Sequence, residues 1–483
     1  MAIMIFFVVM ALGAPILSPY SPTSVIVSPK IAYRLSKPIW YKYLFPGENI
    51  SENVDAIPDP HFDTGTAIKE LKFDTTPTSQ DSVHLEFISN IGYPEGSGPG
   101  CSAIVFKREA DTTNYGEVKA NLSKVFNYPY SFPPRQFLGL VAFSIDNPQN
   151  MSIRINLVLE KVGSERRIVW TNENFISTTA KWIVPNPPVD SAVARTKKYL
   201  SDTFGPEWLL KPAATMFQES ADYKYGVEVT FNDNYPGENV EATILIDDLF
   251  LRIYGNSFGL FGTDHYNRDI FTQLIYGTRI SLTLGILSAI FSTIIGLTVG
   301  LAAGYIGGFF DQVLMRFTDL LLVIPDTPLY IILMATLSPS MWTLILLISL
   351  LGWTGFARLV RSQALSLKER PFVEAAKAVG GGKFHIIFKH ILPNVMNLVY
   401  VTLATSVPYA ITSEAWLSWL GLYDPSTMTW GRMLYDVQGE ASGMEMWWWV
   451  IPPGLCIAAI SLAFILLGYA LDEILNPKLR ERR

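Results

Sequence analysis

Gly380-Gly381-Gly382-Lys383-Phe384 is the stretch of this sequence nearest to a phosphate-binding loop, and it fails as one. Phosphoryl chemistry needs Gly-x-x-x-x-Gly-Lys-Ser/Thr after a strand, so that backbone N–H groups cradle the phosphates and a hydroxyl holds magnesium. Here the spacing is wrong and a helical pattern precedes the glycines. The histidines His61, His84, His265, His385 and His390 fall at no metal-ligand spacing. Cys101 and Cys456 lie in a polar and an apolar stretch respectively, which suits neither a disulfide framework nor a metal site. The chain is therefore expected to carry no catalytic residue, no metal and no cofactor of its own. What remains is recognition: Asp326 inside an apolar run, and Trp170, Trp182 and Trp208, whose faces suit stacking on sugars or burial in a core.

The elements that must hold these residues differ between the two halves of the 483-residue chain. From about Leu260 onward, apolar runs of roughly 20 residues recur, the length that crosses a hydrocarbon core. Six spans are expected, at 1–18, 281–303, 313–336, 342–362, 394–415 and 449–471, each helical because lipid satisfies no isolated backbone group. Arg358, Arg361, Lys368, Arg370, Lys377, Lys383 and Lys389 outnumber Glu369 and Glu374 between spans four and five. Lys478, Arg480, Arg482 and Arg483 follow span six. Both segments are expected inside, with both termini cytoplasmic and residues 23–280 outside, in a multi-pass plasma-membrane protein. Trp447, Trp448 and Trp449 fit the outer interface. The apolar stretch Met1–Leu17 also has the length of a signal peptide, but no Lys or Arg precedes Lys30. Nucleic-acid binding finds no support in the pattern.

Residues 23–258 contain no such span and alternate apolar with polar side chains instead. Ile153, Ile155, Leu157 and Leu159 show it best, with Tyr223, Tyr225, Val227, Val229 and Phe231. Val83–Ile88, Phe137–Ile145 and Thr243–Tyr254 are further strands, and Asp190–Thr203, entered through Pro187-Pro188, is the one clear helix. Loops such as Tyr93–Gly100 punctuate them. An antiparallel β-sandwich outside the membrane is the expected result. Its closing strand, Ile244–Tyr254, looks like the final strand of jelly-roll modules of the carbohydrate-binding type. Asn-x-Ser sequons at Asn49, Asn121 and Asn150 agree with an external location without requiring it.

Lys368–Pro393 reads as two short helices around a glycine break. Pro371 suits a first helical turn, Gly380–Gly382 a stop, and Phe384, Ile387, Phe388 and Ile391 one side of a second helix before Pro393. Glu374-Ala375-Ala376, three residues, Gly380, nine residues and a hydrophobic stretch ending in Leu392-Pro393 resembles the coupling loop of ABC importer permeases. His390 stands where that pattern prefers an aliphatic residue. Phe261-Gly262-Thr263-Asp264, Asn267-Arg268-Asp269, Ala303-Gly304-Tyr305-Ile306-Gly307-Gly308, Glu414-Ala415, Trp430-Gly431 and Asn476-Pro477 resemble the dipeptide/oligopeptide permease family, C-type subunit.

The resemblance implies a type I ABC importer permease fold of six transmembrane helices, divided into a first helix (1–22), a mainly-β insert (23–258) and a permease core (259–483) with its coupling loop at 364–393. It implies a second homologous permease, two cytoplasmic ATPase subunits that bind the ATP and Mg, and an external solute-binding protein. Glu374, Ala375, Ala376, Gly380, Leu392 and Pro393 would meet an ATPase, and Asp326 would line the translocation path or pair with the second permease. Oligopeptides or oligosaccharides are the expected cargo. A membrane sensor is the alternative, but only about ten residues follow span six, too few for an output domain.

Overall fold

The computed structural model describes the chain apart from residues 25–29, 63–64, 77–81, 90, 94–99, 111–115, 173–177, 180, 187, 441–444 and 476–483. Pro187, most of the Tyr93–Gly100 loop, Asn476-Pro477 and the basic tail thus lie outside the described residues. Two compact units emerge: Met1–Ile26 with Gly259–Arg483, and Val27–Phe258.

The second unit holds strands β1 (Val54–Asp55), β2 (Lys72–Thr75), β3 (Val83–Ile88), β4 (Cys101–Arg108), β5 (Glu117–Tyr128), β6 (Gln136–Asp146), β7 (Ser152–Lys161), β8 (Ile168–Thr171), β9 (Val189–Asp190), β10 (Ala221–Asn232) and β11 (Val240–Tyr254). One sheet runs β3-β4-β11-β6-β9 with β1 added to β11, and the other runs β2-β5-β10-β7-β8. Because side chains alternate across a strand, Ile153, Ile155 and Leu157 of β7 and Tyr225, Val227 and Phe231 of β10 all reach one core. From the facing sheet come Phe106, Phe143 and Ile244, with Phe106 stacked on Phe231 at 5.1 Å between centroids. Each such burial stabilises by roughly 1.5–3 kcal/mol, so the sandwich has a core of its own.

Two local patterns end differently from the sequence expectation. The helix foreseen at Asp190–Thr203 starts later: Val189–Asp190 pairs with β6, and the helix occupies Ala194–Phe204. Asp190 is responsible, because its carboxylate accepts from Ala192 N at 2.7 Å and from Gln136 at 2.5 Å, bonds that compete with a helical start. The closing strand β11 is bulged, with its register against β6 shifting between Asp247 and Phe250 and Asp248 at φ 49. Asp247 turns inward there, where burial pushes its carboxyl up to about 6 against the opposing pull of two N–H donors, Tyr93 and Asp248, each at 2.7 Å.

Helices, in chain order, are α1 (Ala2–Leu17) in the first unit, then α2 (Tyr41–Leu44), α3 (Gly65–Lys69), α4 (Ala194–Phe204), α5 (Glu207–Leu210) and α6 (Pro212–Met216) in the second. The first unit continues with α7 (Ile270–Leu301), α8 (Gly308–Val323), α9 (Asp326–Leu337), α10 (Met341–Gly352) and α11 (Thr354–Lys368). It closes with α12 (Pro371–Ala378), α13 (Lys383–Ile386), α14 (Leu392–Trp419), α15 (Trp430–Gln438) and α16 (Trp447–Leu475). Wide π turns follow α7 at Ala302–Ile306 and precede α14 at Ile387–Ile391. Among the described residues, four continuous segments are long and apolar enough to cross a membrane: Ile270–Ile306, Met341–Lys368, Lys383–Trp419 and Trp447–Ile474. Counting α8 with α9 gives a fifth, but the pair is bent by 89°. The straight span expected at 313–336 is therefore broken, because Pro325 drives Ile324 into an extended conformation, ψ 125. Helix α1, at 16 residues, is about 24 Å long, short of a ~30 Å hydrocarbon core. It packs through Phe7, edge-on to Trp430 at 5.6 Å, and ends where Ser18 hydrogen-bonds Thr272 at 2.5 Å.

Gly296, Gly300 and Gly304 recur every fourth residue along α7 and its π turn. A Cβ at these positions would lie 2.9 Å from Trp353 O, 2.6 Å from Ala357 O and 2.7 Å from the Ala364 Cβ. Missing side chains are what let α7 lie directly on α11. Gly300→Val is expected to destabilise this unit by about 1–3 kcal/mol through overpacking, read as a lower thermal midpoint in detergent. An unchanged midpoint would mean that α11 yields without cost.

Candidate functional site

Helix α12 opens with Pro371 in its first turn and closes on a glycine stop. Gly380, at φ 89, donates to Lys377 O at 3.0 Å, and Gly381 donates to Ala376 O at 3.0 Å. These paired bonds satisfy the last carbonyls and need a left-handed residue between them. Val373 is fully buried among Tyr305, Val360, Ala364, Ile386 and Ile391, and Ala376 packs against the same cluster. Glu374 and Ala375 face outward, with Glu374 in the first turn, where a carboxylate complements the helix dipole. Two lysine ammoniums, Lys368 and Lys377, each sit 5.8 Å from the Tyr305 ring centroid and tie the loop to the end of α7.

The second helix of the loop does not present the apolar side that its sequence suggests. Ile387 and Ile391 are buried, whereas Phe384 is 78% and Phe388 64% exposed. The π turn over Ile387–Ile391 is the reason, because it shifts the angular phase that a 3.6-residue period assumes. It also carries the chain through Pro393 into α14 without interruption, Pro393 falling in the first turn of that helix, where proline is tolerated. Leu392 is half-buried and Pro393 exposed. His390, the departure from the family pattern, packs toward Phe372 at 6.5 Å and His385 at 5.9 Å. Phe372, Val379 (89% exposed), Phe384 and Phe388 are thus exposed apolar side chains on the same loop as the outward-facing Glu374 and Ala375. Of the charged residues assigned to this loop from sequence, Arg358, Arg361 and Lys368 belong instead to α11, where Arg361 holds Asp311 bidentately at 2.5 and 2.7 Å.

At the opposite end of α7 a buried polar network gathers the motifs around Asp264. Arg268 donates to Asp264 at 2.6 Å and to Asp436 at 2.8 Å, while Gln273 donates to Asp264 at 2.7 Å. Asp269 caps α7 by accepting from Thr272 N at 2.8 Å, and burial pushes its carboxyl up. Asp436 is also pushed up by burial, against the pull of Arg268 and Arg432. Glu414 accepts from Ser418 and Thr429 at 2.6 Å each, and Trp430 donates to Leu274 O at 3.2 Å. These contacts fix the ends of α7, α14 and α15. The sequence signalled Asp264 and Arg268 but not Asp436 or Gln273.

Asp326 stands at the first turn of α9, beyond the bend, and not in mid-helix as expected. It lines a cavity of about 500 Å³ with Thr327, Tyr330, Tyr409, Thr412, Ser413 and Trp416. Tyr409 donates to the carboxylate at 2.7 Å, and Thr327 N donates at 2.9 Å. An exposed carboxylate ringed by hydroxyls suits a cationic or hydrogen-bonding ligand. The tryptophans are not brought together. Trp208 is 2% exposed, flanked by Phe204 at 5.2 Å and by the Arg167 guanidinium at 5.1 Å, so its faces are already occupied and it is a core residue. Trp170, on β8, is half-buried beside Phe143 at 6.2 Å, and Trp182 meets Tyr93 edge-on at 6.1 Å.

The family described as "Binding-protein-dependent transport system inner membrane component" matches residues 296–481. A dipeptide transport system permease protein of Bacillus subtilis (strain 168) is 40% identical over 222 residues, 46% of this chain and 69% of that protein. An oligopeptide transport system permease protein of the same organism is 37% identical over 46% of this chain and 72% of its own length. Among solved structures, an inward-facing form of the MetNI methionine ABC transporter aligns at TM-score 0.32 and 18% identity, over 41% of this chain and 96% of that one. The TmCBM61 structure with beta-1,4-galactotriose aligns at TM-score 0.23 and 15% identity, over 41% and 97%. Neither structural likeness is strong enough to say what this chain binds.

Proposed function

The chain belongs to the binding-protein-dependent transport permeases, as a C-type subunit of the dipeptide/oligopeptide branch, and from that premise we propose that it forms half of a membrane path for oligopeptides. A permease subunit of this kind is not catalytic and carries no cofactor; ATP is bound by its ATPase partners, and a binding protein delivers the cargo. The second half of the path is a homologous permease; the six spans of the proposed topology are the four continuous segments, the bent α8–α9 pair and the short α1, with both termini and the 364–393 loop cytoplasmic and the residues between α1 and α7 extracytoplasmic. The observation that carries the reading is the set of exposed apolar side chains, Phe372, Val379, Phe384 and Phe388, on the loop of Glu374 and Ala375, a loop anchored by buried Val373. Such a loop fits a groove of the ATPase, with the small alanine allowing close approach. Family membership sets the sensor alternative aside. Oligosaccharide remains a second cargo reading, favoured by the jelly-roll look of the closing strand alone.

Within the path, the Asp326 cavity suits the charged amino end of a peptide. The test is reconstitution with the second permease, the ATPases and the binding protein, followed by ATP-driven uptake of labelled peptides and oligosaccharides. Asp326→Ala is expected to lower peptide uptake about tenfold, the scale of one charge-assisted contact, without dissociating the complex. Unchanged uptake would remove Asp326 from the path, and failure of the chain to capture any ATPase would overturn the coupling role.

A further inference from the structure

The second unit contains a cleft of about 820 Å³ that no part of the transport reading uses. Arg34, Arg135, Lys197 and Lys211 line it, in a chain whose net charge is −6. Glu48 is the acid among the lining residues, and Lys37 takes it in an ion pair. None of the four cations has an ion-pair partner among the described residues. Like charges held together without counter-ions repel one another, an arrangement that becomes favourable when an anion arrives between them. Apolar wall is supplied by Leu35, Pro134 and Leu210. Leu35 is held at φ 53, unusual for a leucine, in a turn closed by Ser36 Oγ donating to Tyr33 O at 2.7 Å.

We propose that this cleft binds acidic peptides, its four cations pairing with carboxylates spaced along an extended chain while Leu35, Pro134 and Leu210 receive apolar side chains. The mixed cationic and apolar lining suits a peptide with acidic and apolar side chains; Trp170, Trp182 and Trp208 all lie outside the cleft, whose own aromatic side chains are Tyr33 and Phe132. The choice of a peptide over another carboxylate-bearing ligand rests on the transport reading; the anion preference does not.

Binding to the full chain in lipid nanodiscs, without any partner subunit, tests it. The probes are a fluorescein-labelled peptide with alternating Glu and Leu, the same peptide with Gln for Glu, and a labelled trigalacturonate. The Glu peptide should bind at least tenfold tighter than the Gln peptide and weaken as salt rises. Arg135→Glu with Lys211→Glu should weaken it about tenfold or more, as expected for two partly exposed ion pairs, at unchanged thermal midpoint. Lys107→Glu, outside the cleft, should leave affinity unchanged. Equal binding of the Gln peptide, insensitivity to the double variant or tighter binding of trigalacturonate overturns the proposal. Loss of uptake in the reconstituted complex with peptide binding intact would count against the transport reading alone.

Discussion

Arg268→Ala is expected to destabilise the first unit by about 3–5 kcal/mol, the scale for removing one partner of a buried ion pair. The guanidinium is 1% exposed and bridges two carboxylates that approach it from different parts of the chain, Asp264 at 2.6 Å and Asp436 at 2.8 Å. Alanine leaves Asp264 buried without a cation and Asp436 with Arg432 alone, 4.0 Å away, while burial is already pushing Asp436 toward its neutral form. Lysine should rescue only in part, because a point donor cannot reproduce a planar fork that serves two acceptors at once. Thermal unfolding in detergent measures the loss. Arg268→Met combined with Asp264→Asn and Asp436→Asn should recover most of it, since no charge is then stranded. A loss below about 1 kcal/mol in Arg268→Ala would show that the pair behaves as a surface bridge and does not hold α7 to α15.

Val379→Asp with Phe384→Asp should abolish capture of the ATPase while leaving the chain folded. Both side chains are mostly exposed, so their replacement disturbs no packing in this chain, and the expected change in its own thermal midpoint is small. At an interface, apolar anchors contribute about 2 kcal/mol each when well buried by the partner. Losing two, and adding two desolvated carboxylates, should weaken association roughly 100-fold or more. Affinity capture of the ATPases and ligand-stimulated ATP turnover are the measurements. Val373→Asp serves as the contrast, because its side chain is buried beneath α12 and the variant should fail by unfolding the loop. Retained capture by the Val379 and Phe384 double variant would move the contact elsewhere on the chain.

Local patterns made much of this architecture legible. Period-two alternation located β7 and β10, since a strand with one buried face admits no other arrangement. Pro371 and Gly380 bounded α12 because each has a backbone preference that its position requires. The departures share a cause: backbone geometry changes where the sequence suggests a regular period. Phe384, Ile387, Phe388 and Ile391 look like one stripe only if the helix winds at 3.6 residues per turn, which the π turn prevents. Asp326 looks like mid-span only if Pro325 merely loosens a helix, whereas it ends one. Arg268 and Asp436, separated by 168 residues, leave no local pattern from which their pairing could be read.

The contact between α7 and α11 has a mechanical consequence. With Gly296, Gly300 and Gly304 against α11, the α7 backbone bears directly on Phe356, Val360 and Ala364 and on the carbonyls beside them, with no α7 side chain between at those three positions. The 15 residues of α11 thus stiffen part of the 37-residue segment Ile270–Ile306, which is about 55 Å long. Tyr305, under its two ammoniums, is the pad on which α12 presses. A displacement at that pad is therefore expected to reach Asp269, at the other end of α7, with little bending in between.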